Sequence, residues 1–404
     1  MATVARTRTT DPALRAVALK ARRELKMARS VQTFVRGSTE RFYRWIDEHA
    51  ARHIPTGPDV WICGDCHVGN LGPVGRSEGN VVIEMRDLDQ TVIGNPALDL
   101  VRVGLSLAMD ARSSLLPGVT TAHMTEELVA GYEAAFEGQV PSEKIGELPE
   151  PIRHVMRQAT RRTWKHLFDE RVGGRAEQLP LGRRFWPLSQ EERAAVEHLV
   201  TTEPVRRLVS RIESRDDDAE LELLDAAYWV KGCSSLGLWR VAVLVDAHGK
   251  KKRSSRCLLD VKQAVETWAP AALRAHLPPH DGERVVTGAR KLAPALGERM
   301  TSATVLDRSV FIRELLPQDL KMALDDMSAE VGKVTARYLG LVVGRAHARQ
   351  LDEQSRKGWL EVMSARRLES IDAPSWLWTS IVELVADHER AYLEHCRRYA
   401  MNAT

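Results

Sequence analysis

Apolar residues recur at helical spacing in ALRAVALKARRELKMA, just after Asp11 and Pro12, which supply an N-cap and a first helical residue. A second helical pattern runs from Ser38 to Arg52, with Phe42, Trp45 and Ile46 on one face, and Pro55, Gly57 and Pro58 end it. The period then shortens. Asp59 to Cys63 (DVWIC) and Val81 to Met85 are β-prone runs separated by the turn-rich GPVGRSEGN, and the second closes on an acidic turn, Arg86-Asp87-Leu88-Asp89. Pro96 opens a strong helix, ALDLVRVGLSLAMDAR, and another follows from about Thr121 to Glu137.

Residues 140–220 read as mostly helical with breaks. Arg171 to Pro187 is a Gly- and Arg-rich loop, Ser189 with Glu192 forms a capping box, and Arg215 to Asp218 (RDDD) is a polar boundary. Beyond it, Tyr228 to Lys231, Leu238 to Val245 and Arg256 to Val261 read as successive strands, with turns at Gly232–Gly237 and His248-Gly249. A helix is expected over Asp281 to Leu292, a strand over Val310 to Leu315, and helices over Ala329 to Gln350 and Pro374 to Tyr399. The pattern predicts an α+β chain in which a small β-rich unit, residues 221–316, is inserted between helical segments 1–220 and 317–404.

Composition narrows the class without deciding it. The 404 residues suffice for two or three cores, and 58 Lys plus Arg against 55 Asp plus Glu leave a net charge of +3, giving no reason to expect a nucleic-acid partner. The basic run Gly249 to Arg253 (GKKKR) reads as a solvated loop. No apolar run has the length of a bilayer span. The N-terminal MATVARTRTTDPALRAVALKARREL lacks the apolar centre of an export signal, so a cytoplasmic, non-membrane protein is expected. Five cysteines scattered over such a length do not make a disulfide framework. Oligomeric state is not legible.

Candidate chemistry gathers at CGDCHVGN, Cys63 to Asn70, which admits three readings. C-x-x-C-H is the pattern of covalent haem attachment, but an exported setting is not indicated. Zinc would need about four ligands, and Cys233, Cys257 and Cys396 stand alone and far away, so Cys63 and Cys66 read as buried thiols. The third reading is G-D-x-H-x-x-N, in which Asp65 and Asn70 have the spacing of a phosphotransferase catalytic loop. Asp65 would orient the acceptor proton, and Asn70, Asp87 and Asp89 would offer oxygen to Mg²⁺. Downstream, Gly232, Ser234, Ser235 and Gly237 belong to a turn able to cover phosphates, and Lys262 ends a strand where kinases place a phosphate-holding lysine. Glu283 is the candidate helix carboxylate for Lys262, and Glu314 lies in an expected hinge, Phe311 to Leu315, whose backbone would meet an adenine. His67 is read as packing its loop through hydrogen bonds, Arg36 as a cleft candidate, and His347 as a buried histidine bonded to a nearby carbonyl.

Residues 64–102, from GDCHVGNLG to NPALDLVR, resemble the catalytic segment of aminoglycoside and choline phosphotransferases. The resemblance implies Asp65 as catalytic base, Asn70 and Asp87 as metal ligands, and Asp99 as a carboxylate bracing the loop. Cys63 replaces the family's first His, and Asn95 the Asp before Pro96. The Gly-containing turn and Lys262 follow the catalytic loop instead of preceding it, which is the order a circular permutation gives. With FVRG (Phe34–Gly37) upstream and GRAHARQ (Gly344–Gln350) downstream, that order resembles a bacterial domain-of-unknown-function family, number 2252, grouped with the protein-kinase-like fold. The resemblance implies a two-lobed, permuted kinase-like fold using ATP and Mg²⁺ to phosphorylate a small-molecule hydroxyl. Protein phosphorylation, AMP transfer, and a nucleotide-binding regulator without catalysis are the alternatives it leaves.

Overall fold

The computed structural model of the chain describes residues 11–173, 177–212, 215–216, 219–249, 255–322, 327–365, 367–368 and 370–399. The extreme N-terminus, residues 174–176 of the Gly- and Arg-rich loop, the last two residues of RDDD and residues 250–253 of the basic run lie outside the described residues. The fold is α+β.

Three helices open the described chain: α1 (Pro12–Met27), α2 (Val31–Gly37) and α3 (Thr39–His53). Strand β1 (Val60–Ile62) follows, then a single 3₁₀ turn at Val68–Asn70, the hairpin β2 (Leu71–Gly75) and β3 (Val81–Met85), and β4 (Val92–Gly94), which returns to pair with β1. The first part of the expected turn at GPVGRSEGN, Gly72 to Gly75, is thus strand, and only residues 76–80 turn. Its Gly and Pro residues give no β signal, but β2 is buried along its whole length and pairs with β3 from Leu71–Met85 to Gly75–Val81.

Helices α4 (Ala97–Ser113) and α5 (Gly118–Phe136) come next, followed by α6 (Glu150–Arg161), α7 (Trp164–Arg171), β5 (Phe185–Trp186), α8 (Gln190–Thr201) and α9 (Glu203–Ser210). Ser189 caps α8 through the capping box its sequence spells out, accepting the Glu192 amide at 3.2 Å.

The β-rich unit is one antiparallel sheet built from β5, β6 (Glu220–Trp229), β7 (Arg240–His248), β8 (Ser255–Gln263), β9 (Met300–Val305) and β10 (Arg308–Glu314), in the order β5-β6-β7-β8-β10-β9. Between β8 and β9 the chain forms α10 (Ala271–Arg274), α11 (Asp281–Leu292) and α12 (Pro294–Gly297). The sheet's two faces differ in kind. Val241, Val261 and Ile312 lie side by side on the face packed with Val196 and Leu199 of α8, Val205 and Leu208 of α9, and Leu19 of α1. The other face carries Arg240, Asp260, Lys262 and Arg313, aligned by the same register. Burying charge on the inner face of a sheet is costly, so those residues mark the face that serves the site.

The rest of the chain contributes α13 (Ala329–Ala348), α14 (Glu353–Ser364), a small hairpin of β11 (Arg367–Leu368) and β12 (Ile371–Pro374), and α15 (Ser375–Tyr399). Helix α13 lies against α5 so closely that glycines are required on both: a Cβ at Gly131 would overlap the Arg337 carbonyl, and one at Gly340 the Leu128 carbonyl. Together with α4, these helices form the core on which β1 and the following loop rest.

Candidate functional site

The loop after β1 is shaped from beneath. Gly64 has φ +74, and a Cβ there would overlap the Gln90 carbonyl, so the residue before Asp65 is held to glycine. Asp99, fully buried in the first turn of α4, accepts the Cys63 amide at 2.7 Å and the Gly64 amide at 2.9 Å. His347 of α13 meets the same carboxylate through Nε2 at 3.1 Å and Tyr132 through Nδ1 at 3.1 Å. Its expected partner, a nearby carbonyl, is replaced by two side chains, because α13 turns His347 into the α4–α5 core and away from any cleft.

Asp65 itself is nearly buried. Arg102, three residues after Asp99 on α4, donates to Oδ1 at 2.9 Å, and Thr39 donates to Oδ2 at 2.9 Å. Burial raises the Asp65 carboxyl above its usual range, while the Arg102 charge and these hydrogen bonds act the other way. The Asn70 amide nitrogen donates to the Asp65 carbonyl at 2.9 Å and the Asp87 carbonyl at 3.2 Å, tying the Asp65 loop to the acidic turn. Its Oδ1 has no donor among the described residues. Cys63 and Cys66 are buried thiols, and Cys63 Sγ donates to the Asp87 carbonyl at 3.5 Å.

The sheet's charged face closes over this loop. Lys262 Nζ forms an ion pair with Asp89 and lies 3.8 Å from Asp87. Burial works against charge on Asp87, but Lys262, Arg313 and Arg240 outweigh it and hold the Asp87 carboxyl well below the usual range. Burial and then the neighbouring Asp87 charge push Asp89 up to about 6. The carboxylate serving Lys262 is therefore Asp89 and not Glu283, which is exposed on α11. The next residue, buried Arg284, fills that helix's role instead, donating to the Asp89 carbonyl at 3.0 Å and the Thr91 carbonyl at 2.7 Å.

Between sheet and loop lies a cleft of about 560 Å³. Asp65, His67, Asn70, Asp87, Gly232, Ser234 and Ser235 line it, and so does Arg36. Gly237 does not: it faces the Ala16 carbonyl and Leu19 of α1. Glu314 is also elsewhere, fully buried in an ion pair with Arg215 at 2.7 Å, while Arg299 donates to its carbonyl at 2.6 Å. Phe311–Glu314 is sheet interior, and the chain leaves the sheet only after Leu315, so the crossing to the cleft wall is made by residues 315–321. His67 differs from expectation as well. Among the described residues no hydrogen bond holds its ring and buried Nδ1 has no partner, and burial followed by the charges of Arg36 and Arg102 pushes its pKa well below the ordinary value.

A family model described as an uncharacterized protein conserved in bacteria, DUF2252, matches residues 15–398. The chain belongs to that family. No curated protein matches it, and no solved structure does. The match covers nearly every element described above, so the cleft is made from parts of one family domain.

In this DUF2252 member the cleft is strongly basic, a property sequence reading missed. Deep under the sheet, Asp260 pairs with Arg240, with Lys231 at 3.6 Å and Arg313 at 3.7 Å. Burial opposes the Asp260 charge, but those cations hold its carboxyl far below the usual range. Nearer the mouth, Lys26 donates to the Gly232 carbonyl at 2.6 Å, and Arg36, Arg86 and Lys321 line the wall without an ion pair among the described residues. Sequence reading also passed over Arg102, the buried partner of Asp65, which stands at i+3 from Asp99 on the same helix face.

No three His, Cys, Asp or Glu side chains converge as a metal cage among the described residues. The Asp87 carboxylate and the Asn70 Oδ1 are oxygen donors at the cleft, and such a sparse hard set suits Mg²⁺, which keeps waters and takes most of its remaining ligands from phosphate. It does not suit zinc or a haem.

Proposed function

We propose that the protein is an ATP- and Mg²⁺-dependent phosphotransferase with a circularly permuted kinase-like fold, acting on a hydroxyl of a small molecule. The observation that carries the reading is convergence: Lys262 meets Asp89 and Asp87, and Asp87 lines the same cleft as Asp65 and Asn70. The order of parts supports it. Strands β6 and β7 flank the Gly232–Gly237 turn, the third strand β8 carries Lys262, and helix α11 follows, which is the kinase succession of Gly-rich loop, lysine strand and helix. The catalytic loop, its hairpin and Asp87 then come from the chain's other end.

In this reading the backbone around Gly232 and the side chains of Ser234, Ser235 and Lys262 hold the phosphates, and Asn70 with Asp87 would hold the metal, which neutralises phosphate charge. Asp65, fixed by Arg102 and Thr39, accepts the acceptor hydroxyl's proton and orients its oxygen. That oxygen bonds to the γ-phosphorus as the bond from phosphorus to the β–γ bridging oxygen breaks; ADP leaves and the proton passes from Asp65 to water. Burial raises the Asp65 carboxyl and Arg102 works against that rise while fixing the carboxylate in place, which fits phosphoryl transfer, where positioning counts for more than proton abstraction.

Titration with Mg·ATP, followed by mass spectrometry of the products, tests this. Binding weakened by Lys262→Met, with acceptor gaining phosphate, supports the reading. Acceptor gaining AMP would replace it with nucleotidyl transfer, and wild-type protein that ignores ATP would end it.

A further inference from the structure

The acceptor's charge is legible in the cleft. Building on the phosphotransferase reading, we propose that the acceptor is an anion, a hydroxyl compound bearing a phosphate or carboxylate group, held by Arg36 and Lys321 with Arg86.

The nucleotide's needs are met elsewhere. Lys262 and the Gly232 turn serve its phosphates, and the deep cations Arg240, Lys231 and Arg313 are committed to Asp260. Lys26 is bound to the Gly232 carbonyl. Arg171 pairs with Glu170 at 3.2 Å. Of the cations lining the cleft, Arg36, Lys321 and Arg86 remain. Arg36, from α2, lies over the 3₁₀ turn: its guanidinium carbon is 3.2 Å from where a Gly69 Cβ would stand. Lys321 is set beside β2 by its neighbour Met322, whose amide donates to the Leu71 carbonyl at 3.4 Å. Arg86 immediately precedes Asp87. They surround the end of the cleft where a hydroxyl would meet Asp65.

Unpaired cations crowded together repel one another. Partial enclosure and then the Arg36 charge lower the Lys321 ammonium to about 8. Asp87 and Asp319 offset part of this crowding without forming an ion pair to any of the three among the described residues, and a bound anion would relieve the rest. Phosphate or carboxylate accepts charge-assisted hydrogen bonds from such a group, and a guanidinium can make two in parallel. The same field repels a cation. The aminoglycoside and choline phosphotransferases that the catalytic segment resembles take cationic acceptors, so this member departs from them where the substrate is chosen.

The test uses the full chain, with and without a non-hydrolysable Mg·ATP analogue. Ribose 5-phosphate, 3-phosphoglycerate and gluconate are the anionic probes; ribose, glycerol and choline are the neutral and cationic controls. Binding is read by calorimetry. At least one anionic probe should bind and the controls should not. Arg36→Ala and Lys321→Ala should each weaken that probe by roughly tenfold or more while leaving the analogue's affinity unchanged. Arg36→Lys, which keeps the charge but not the fork, should recover part of the loss, and the phosphate and carboxylate probes separate the two anion types. Binding confined to the controls, no binding of any anionic probe, or variants that weaken the analogue instead would overturn the inference. If the analogue fails to bind while an Arg36-dependent anion still does, the phosphotransferase reading falls and the anion site stands.

Discussion

Asp99→Asn isolates the brace under the Asp65 loop. The native carboxylate is fully buried and accepts three hydrogen bonds: the Cys63 amide at 2.7 Å, the Gly64 amide at 2.9 Å, and His347 Nε2 at 3.1 Å. Asparagine has nearly the same shape but one accepting oxygen. Whichever way the amide turns, its NH₂ faces at least one N–H. The loss is one charge-assisted bond, about 1.5–3 kcal/mol, plus one stranded buried donor, about 1–3 kcal/mol. A destabilisation of about 3–5 kcal/mol is expected, a large part of a typical domain's stability. Its effect should concentrate at the loop, since the donors belong to the two residues before Asp65. Urea unfolding gives the total, and native-state hydrogen exchange at the Cys63 and Gly64 amides shows where the loosening occurs. His347→Ala, which leaves both backbone bonds in place, should expose those amides less. Asp99→Asn protein with a wild-type midpoint and wild-type protection at both amides would refute the brace.

Other consequences are independent of the chemistry. Burial pushes Glu84 from an ordinary 4.5 up to about 7, so between those values the folded protein keeps a proton that the unfolded chain has released. Stability should fall as pH rises through that window, by on the order of 3 kcal/mol, and Glu84→Gln should be the more stable protein at pH 8 with no advantage at pH 4, as read from melting curves. Gly340→Ala should cost about 3 kcal/mol by driving a Cβ into the Leu128 carbonyl of the adjacent helix, whereas Gly358→Ala, in open space on α14, should gain about 1 kcal/mol. Glu314→Ala should cost about 3–5 kcal/mol because it leaves the Arg215 charge buried opposite an empty space, and loss of an exposed carboxylate would cost far less.

What the sequence made legible follows from how local each signal was. Helix α11 forms over Asp281–Leu292 and α13 begins at Ala329, as their apolar spacing indicated, because a 3.6-residue period repeated over several turns is a strong local cue. Strand β2 was hidden because Gly72, Pro73 and Gly75 read as a turn, while its pairing with β3 is decided by burial. Asp65, Asn70 and Asp87 were named from one short segment, and all three line the cleft. The partner of Lys262 was not, because an exposed Glu283 and an Asp89 facing β8 look alike until the sheet is laid over the loop. Glu314 had the right position for a hinge, but a fully buried carboxylate is claimed by Arg215, a residue 99 positions away. The basic character of the cleft stayed invisible for the same reason: a net charge of +3 says nothing about where the cations gather.

The central claim is that Asp65 governs transfer of the γ-phosphoryl of ATP, and a single-turnover measurement with γ-labelled ATP reaches it most directly. Wild-type protein is compared with Asp65→Asn, with nucleotide affinity measured alongside. Loss of an oriented base should slow transfer by about a hundredfold or more while ATP binding stays within a factor of about two. Transfer at the wild-type rate in the Asp65→Asn protein would contradict the account.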